Sequence, residues 1–248
     1  RDATNATPAG ELRFSGRGTA IGARALWTLP SLGEVKSQAS IGLEARSYRN
    51  DCSLGDFGAA GCGTAAASVD VLPLTVAYQA RDLGRWSAYG QWVANTGAGR
   101  SGRVSDFEAS RPGARPGYRL VRGGVQWQGG QGQRWSVRAR LDSQWSNDLL
   151  VPAEQFGAGG ASSVRGYRER ELSGDAGLTG SVELRLPWST LGGGARQPLE
   201  PTFAAFVDAG TVRNQARTAC DAGRSRCSIW SSGLGLVLRP NDRSVVRL

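Results

Sequence analysis

The 248 residues include 36 Gly, 8 Trp, no His and no Met, and 30 Lys+Arg stand against 21 Asp+Glu for a formal charge of +9. Without histidine there is no His-based general acid or base, no Ser-His-Asp or Cys-His nucleophile, and none of the commonest metal ligand. The basic excess is nearly all arginine, because Lys36 is the only lysine; it suits a nucleic-acid binder, a membrane-surface protein or a polar channel equally, while so many glycines disfavour helices.

The chain opens at Arg1-Asp2-Ala3 with neither an initiator Met nor a signal peptide, and reads as a fragment or processed product. No apolar run approaches the roughly 18 residues of a transmembrane helix. What repeats is a period of two. Ile21, Ala23, Ala25, Trp27 and Leu29 alternate with polar neighbours, and a turn is predicted at 30–34. Ala39, Ile41, Leu43 and Ala45 follow, then a Gly/Ala-rich loop at 50–67 containing Cys52 and Cys62. Leu72, Leu74, Val76 and Tyr78 lead into a turn at 81–84, and Trp86, Ala88 and Trp92 into a long loop at 97–117. After a turn at 129–132, Trp135, Val137, Ala139, Leu141 and Trp145 alternate with Arg138, Arg140 and Asp142. The longest loop, 148–176, precedes Leu178, Gly180, Val182, Leu184 and Leu186, whose polar partners include Glu183 and Arg185. A connection at 188–200 leads to a strand over Phe203–Gly210, and a loop at 213–227 holds Cys220 and Cys227. Trp230, Ser232, Leu234, Leu236 and Leu238 form the next stripe, then a turn at 240–243 and an unfinished strand over Arg243–Leu248.

Short turns at one end and long loops at the other describe an up-and-down antiparallel meander of about ten to twelve strands. A soluble sandwich would turn the apolar stripes inward. A transmembrane barrel turns them outward, with a polar lumen and aromatic girdles. The strands run about 10–13 residues and carry Glu44, Arg46, Arg138, Arg140, Glu183 and Arg185 mid-strand. Trp27, Trp86, Tyr118, Trp127, Trp145 and Trp230 fall near strand ends. The expectation is therefore an all-β antiparallel transmembrane barrel with its apolar face outward. The cysteine spacings fit no zinc site, and two loop disulfides, Cys52 with Cys62 and Cys220 with Cys227, are favoured over free thiols, placing the loops in an oxidising compartment.

The segment with the most information is Phe156-Gly-Ala-Gly-Gly-Ala-Ser-Ser-Val-Arg-Gly-Tyr167, continuing to Leu172-Ser-Gly-Asp175. It lacks the Gly-Lys-Ser/Thr and following helix of a phosphate loop. Alternation in Phe203–Gly210 turns Phe206, Asp208 and Gly210 inward, as it does Glu183 on the preceding strand. A loop tip folded inward would bring Arg165 to Asp208, with bidentate geometry fixing it. Glu183 and Asp208 also have the makings of a carboxylate pair for acid–base chemistry, although the next observation explains both without catalysis.

The Val164-Arg165-Gly166-Tyr167 loop, the Leu-Ser-Gly-Asp continuation and the Phe206-x-Asp208-x-Gly210 strand resemble the haemolysin and filamentous-haemagglutinin secretion/activation proteins, the outer-membrane transporters of bacterial two-partner secretion, within the superfamily of barrel-assembly insertases. The resemblance implies a sixteen-stranded barrel, of which residues 1–248 would be an incomplete C-terminal part lacking the periplasmic polypeptide-transport-associated (POTRA) domains and the plug helix. It implies a pore in the Gram-negative outer membrane that secretes a large unfolded exoprotein and contacts lipid. Neither cofactor nor metal, nor nucleic acid, nor enzymatic activity, is expected. Arg165 is expected to lock the loop to Asp208, assisted by Glu183, Phe206 and Tyr167. Within the same superfamily the alternative is an insertase or another surface barrel; a plain diffusion porin would lack both motifs.

Overall fold

The alternating segments form strands that pair with their neighbours in sequence, in a computed structural model that describes all residues except 1, 8–9, 83, 131–134, 188–200, 216–219, 221–222, 242–243 and 248. The strands are β1 (Asp2–Thr7), β2 (Gly10–Thr28), β3 (Lys36–Leu54), β4 (Val69–Val71), β5 (Pro73–Arg81), β6 (Trp86–Asn95), β7 (Arg119–Gly129) and β8 (Ser136–Trp145), then β9 (Phe156–Ala158), β10 (Leu172–Gly174), β11 (Ala176–Pro187), β12 (Thr202–Arg213), β13 (Arg226–Asn241) and β14 (Ser244–Arg247). Among the described residues twelve of them form one antiparallel sheet in the order β1-β2-β3-β5-β6-β7-β8-β11-β12-β13-β14, with β4 paired to β3 off that path. The sheet is open, with β1 and β14 at its edges. β9 and β10 pair separately inside the longest loop.

The two faces of the sheet differ as the alternation requires. Ile21, Val76, Val182 (53% exposed), Val207 and Trp230 (68% exposed) stand on an uncovered outer face. A soluble protein does not leave that much contiguous apolar surface bare, whereas hydrocarbon chains cover it without cost. Three connections predicted from sequence, at 188–200 and in parts of 129–132 and 240–243, lie outside the described residues.

Strand length departs from the expectation. β2 and β3 each run 19 residues and pair from Leu12↔Leu54 to Thr28↔Gln38. A tilted strand needs only about 9–11 residues to cross the hydrocarbon, so this ribbon continues past the membrane at the long-loop end. There the predicted loops are packed structures. Residues Gly55–Ala66 wind as a 3₁₀ segment, tied to β3 by a disulfide between Cys52 and Cys62, and Val104–Ser110 form a short helix, α1. Phe107 and Ala114 from the α1 loop, Leu150 and Val151 from the next loop, and Tyr118 and Leu120 around the start of β7 bury one another with Val69, Val71 and Val93. The apolar core of the chain thus lies across the mouth of the sheet, on its inner face.

Tyr118 corrects its sequence reading. It is not a girdle residue: it is buried against Phe107, and burial pushes its hydroxyl above the ordinary tyrosine pKa. The reason is parity. Val121, Val125 and Trp127 take the outer face, so even-numbered positions of this strand turn inward.

Candidate functional site

The signature loop descends along the inner face as a narrow hairpin. Pairing of Phe156 with Gly174 and Ala158 with Leu172 brings its two limbs together. Gly159 then turns the chain at φ +116, where a Cβ would meet the Arg168 carbonyl oxygen at 2.5 Å, so a side chain there is excluded. The Ser163 hydroxyl accepts from the Gly159 N–H at 2.9 Å, and the Gly160 N–H donates to the Val164 carbonyl at 3.1 Å. These local bonds fix a tight tip that presents Val164 and Arg165 to the wall.

At the wall, Arg165 takes up both carboxylates. Its Nε donates to Asp208 Oδ2 at 2.7 Å and its Nη2 to Oδ1 at 2.8 Å, the bidentate fork, while its backbone N–H reaches Oδ2 at 3.1 Å. Nη1 donates to Glu183 Oε2 at 2.5 Å and Nη2 to Ser181 Oγ at 3.2 Å. The guanidinium carbon lies 3.5 Å from the centre of the Phe206 ring, a cation–π contact. Asp208 is 0% exposed and also accepts from the Ser181 hydroxyl at 2.7 Å. On its far side Glu183 accepts from Arg185 Nε at 2.6 Å. Tyr167, the last residue of the motif, donates its hydroxyl to the Trp230 carbonyl at 3.2 Å. Asp208 and Glu183 share the Arg165 guanidinium, with Arg185 supplying Glu183 a second positive charge, which suits a clasp and leaves neither carboxylate free as a general base.

Gly210 lets the loop approach this closely. A Cβ there would lie 2.9 Å from Ala158 Cβ and 3.0 Å from Val164 Cγ2, both on the hairpin, and 3.1 Å from Thr179 Cγ2. Gly210→Val is therefore expected to push the hairpin off the wall at a cost of about 1–3 kcal/mol. Trypsin cleavage at Arg168 in the full-length protein should rise, with Gly210→Ala showing a smaller effect; equal resistance of Gly210→Val and the parent would refute the contact.

Two further acidic centres anchor the stem of the hairpin, and sequence reading missed their partners. Glu154, 0% exposed on the descending limb, accepts from Arg46 Nη1 at 2.9 Å, Arg122 Nη2 at 3.3 Å and the Tyr48 hydroxyl at 3.4 Å. Asp175, 0% exposed on the ascending limb, accepts from Arg111 Nη1 at 2.5 Å and Nη2 at 3.0 Å, and from the Leu150 and Gln215 N–H groups at 2.9 and 2.8 Å. Ser181 and Arg185 were legible in principle, sharing the inner-face parity of Glu183. The partners of Glu154 and Asp175 carry no local signal. Away from the clasp, Cys220 and Cys227 are joined by a disulfide at the base of β13, beside the small cluster of Ala158, Val212 and Phe156.

Comparison with known proteins agrees with this arrangement. The model of the haemolysin secretion/activation protein family ShlB/FhaC/HecB matches residues 64–238. The outer membrane transporter CdiB of Escherichia coli O6:K15:H31 is 31% identical over 129 residues, an alignment that covers 43% of this chain and 19% of that protein. The chain therefore spans only a minor part of the curated relatives it matches. Among solved structures, CdiB from Escherichia coli superposes with a TM-score of 0.72 at 20% identity, over 96% of this chain and 42% of that one. BamA from Haemophilus ducreyi superposes with a TM-score of 0.57 at 15% identity, over 95% and 51%. These likenesses place the fold among outer-membrane β-barrels. The family match spans most of the sheet and contains both the signature loop and the wall strand that clasps it, and the chain belongs to the haemolysin secretion/activation protein family ShlB/FhaC/HecB.

Proposed function

We propose that residues 1–248 form the C-terminal part of a barrel wall through which a large exoprotein of the haemolysin or adhesin type leaves the cell, in a protein that also carries periplasmic domains. Lipid covers the outer face and the passenger passes the inner one. The observation that carries this reading is the clasp itself: Arg165 lies on the inner face, held by Asp208 and Glu183 beneath a mouth packed with loops. A path for a polypeptide exists only if that hairpin or those loops shift. A hydrogen-bonded, part-buried ion pair of this kind is worth about 1–3 kcal/mol, enough to hold a two-state loop in one position and little enough to be released by a binding partner. The wall performs no bond chemistry in this reading; it is a transporter and not an enzyme.

The test is secretion. Cells expressing the full-length protein with its neighbouring exoprotein gene should release the exoprotein to the medium, and deletion of the transporter gene should abolish that release while other outer-membrane barrels keep their normal levels. Loss of unrelated barrels on deletion would instead assign the insertase role.

A further inference from the structure

We infer that the inner face of β2, β3, β5 and β6 is a polypeptide track that receives an acidic, extended segment of the passenger at the short-turn end of the pore. The inference rests on the pore reading, and it specifies the chemistry of what enters.

Three concavities lie in series along this face. One of about 290 Å³ at the short-turn end is lined by Thr28, Lys36, Gln38, Gln79, Arg81 and Tyr89. It shares Gln38, Gln79 and Tyr89 with a second of about 60 Å³ that reaches Arg24, Ser40 and Gln91. The second shares Arg24 with a third of about 200 Å³, which ends at Gly42, Glu44, Arg46 and Thr75. Arg46 is the residue that holds Glu154 on the hairpin stem, so the series runs from the rim to the loop that blocks the way. Its floor is made of small residues, and amides flank it; Gln79 Nε2 donates to Gln38 Oε1 at 2.7 Å. Amide side chains offer both donors and acceptors to a passing backbone without selecting its sequence.

Charge gives the track a preference. Lys36 and Arg81 are direct cross-strand partners in the β3–β5 ladder, an arrangement of like charges that weakens a sheet. Among the described residues neither forms an ion pair, and neither does Arg24. The inner-face acids are engaged elsewhere: Glu44 with Arg46, Asp142 with Arg140, and Glu183 and Asp208 with Arg165. The turns at that end add Glu34, Asp82 and Arg85, and neither acid pairs with Lys36 or Arg81. The unneutralised cations face the lumen, where lipid headgroups do not reach, so the occupant they fit is an acidic stretch of the chain being moved.

The full-length protein in detergent, titrated with a fluorescent deca-glutamate peptide and followed by anisotropy, tests this directly. Binding should weaken steeply with added salt, and deca-lysine should not bind. Lys36→Gln with Arg81→Gln should weaken deca-glutamate binding about tenfold without lowering the melting temperature, since it removes a repulsion. Arg100→Gln, on the exposed loop at the opposite end, should leave binding unchanged. Equal binding of the two peptides, or unchanged affinity in the double variant, would overturn the track. Should that happen while the passenger still reaches the medium, the pore reading survives alone; charge-selective binding with no secretion in any context would leave the track and remove the pore.

Discussion

Arg165→Ala in the full-length protein is expected to cut secretion at least about tenfold while the barrel still inserts in the outer membrane. The sheet is built from ladders that Arg165 does not touch, so assembly has no reason to fail. The clasp does. Removing the guanidinium leaves Asp208, 0% exposed, with only the Arg165 N–H and the Ser181 hydroxyl as donors, and Glu183 with Arg185 alone. An uncompensated buried carboxylate costs about 3–5 kcal/mol, which the hairpin escapes by leaving the wall and letting water in. A released tip changes the resting equilibrium by more than the tenfold that about 1.4 kcal/mol represents. Asp208→Asn should do less, because an amide oxygen still accepts from Nη2 while the second fork is lost. Exchanging the charges, Arg165→Asp with Asp208→Arg, should restore part of the activity, and only part, because Glu183 would then oppose the loop carboxylate. Exoprotein in the medium, normalised to barrel in the membrane fraction, reads all three. Wild-type secretion by Arg165→Ala would show that the clasp does not bear on transport.

Much of this site could be read from residue types and parity. Val182 and Leu184 alternating with Ser181, Glu183 and Arg185 set which face each strand presents, and two short motifs set which loop meets which wall. The meander order sets Glu183 and Asp208 on adjacent inward faces, but the register that puts Glu183 opposite Phe206 could not be read across the long connection at 188–200. The interior of the mouth was illegible. α1 has seven residues, too few for a helical period to show against the glycines around it. Arg111 reaches Asp175 across 64 positions and Arg46 reaches Glu154 across 108, and no local pattern announces such pairs. Aromatics misled for a related reason: an outer girdle and an inner core both favour them at strand ends, and for Tyr118 parity, not residue type, separates the two.

The second large effect is expected at Asp175, and it should appear in the mouth, leaving the wall intact. This carboxylate joins four segments: Arg111 after α1, Leu150 in the following loop, Gln215 after β12, and its own limb of the hairpin. Arg111 is itself almost fully buried and also donates to the Leu150 carbonyl at 2.7 Å and to Asn214 Oδ1 at 3.3 Å. Asp175→Ala leaves a buried guanidinium without its counter-ion and the Leu150 and Gln215 N–H groups without an acceptor, a loss of about 3–5 kcal/mol that local unfolding relieves. The α1 loop should open first at its centre, which beyond this pair is held by the apolar contacts of Phe107 and Ala114, while Ser101 and Pro116 at its ends stay bonded to Asp70 and Asn95. Trypsin cleavage at Arg103 on intact cells should therefore rise by about two orders of magnitude, while the heat-resistant folded band of the barrel on a gel persists. Arg111→Leu combined with Asp175→Leu should cost less than either charge-removing change alone, since a buried pair replaced on both sides leaves no orphaned ion. If opening the mouth in this way speeds export while Arg165→Ala cuts it, the packed loops are a barrier and the clasp is a working part of the path; if export stays constant while cleavage rises, the mouth loops do not limit passage.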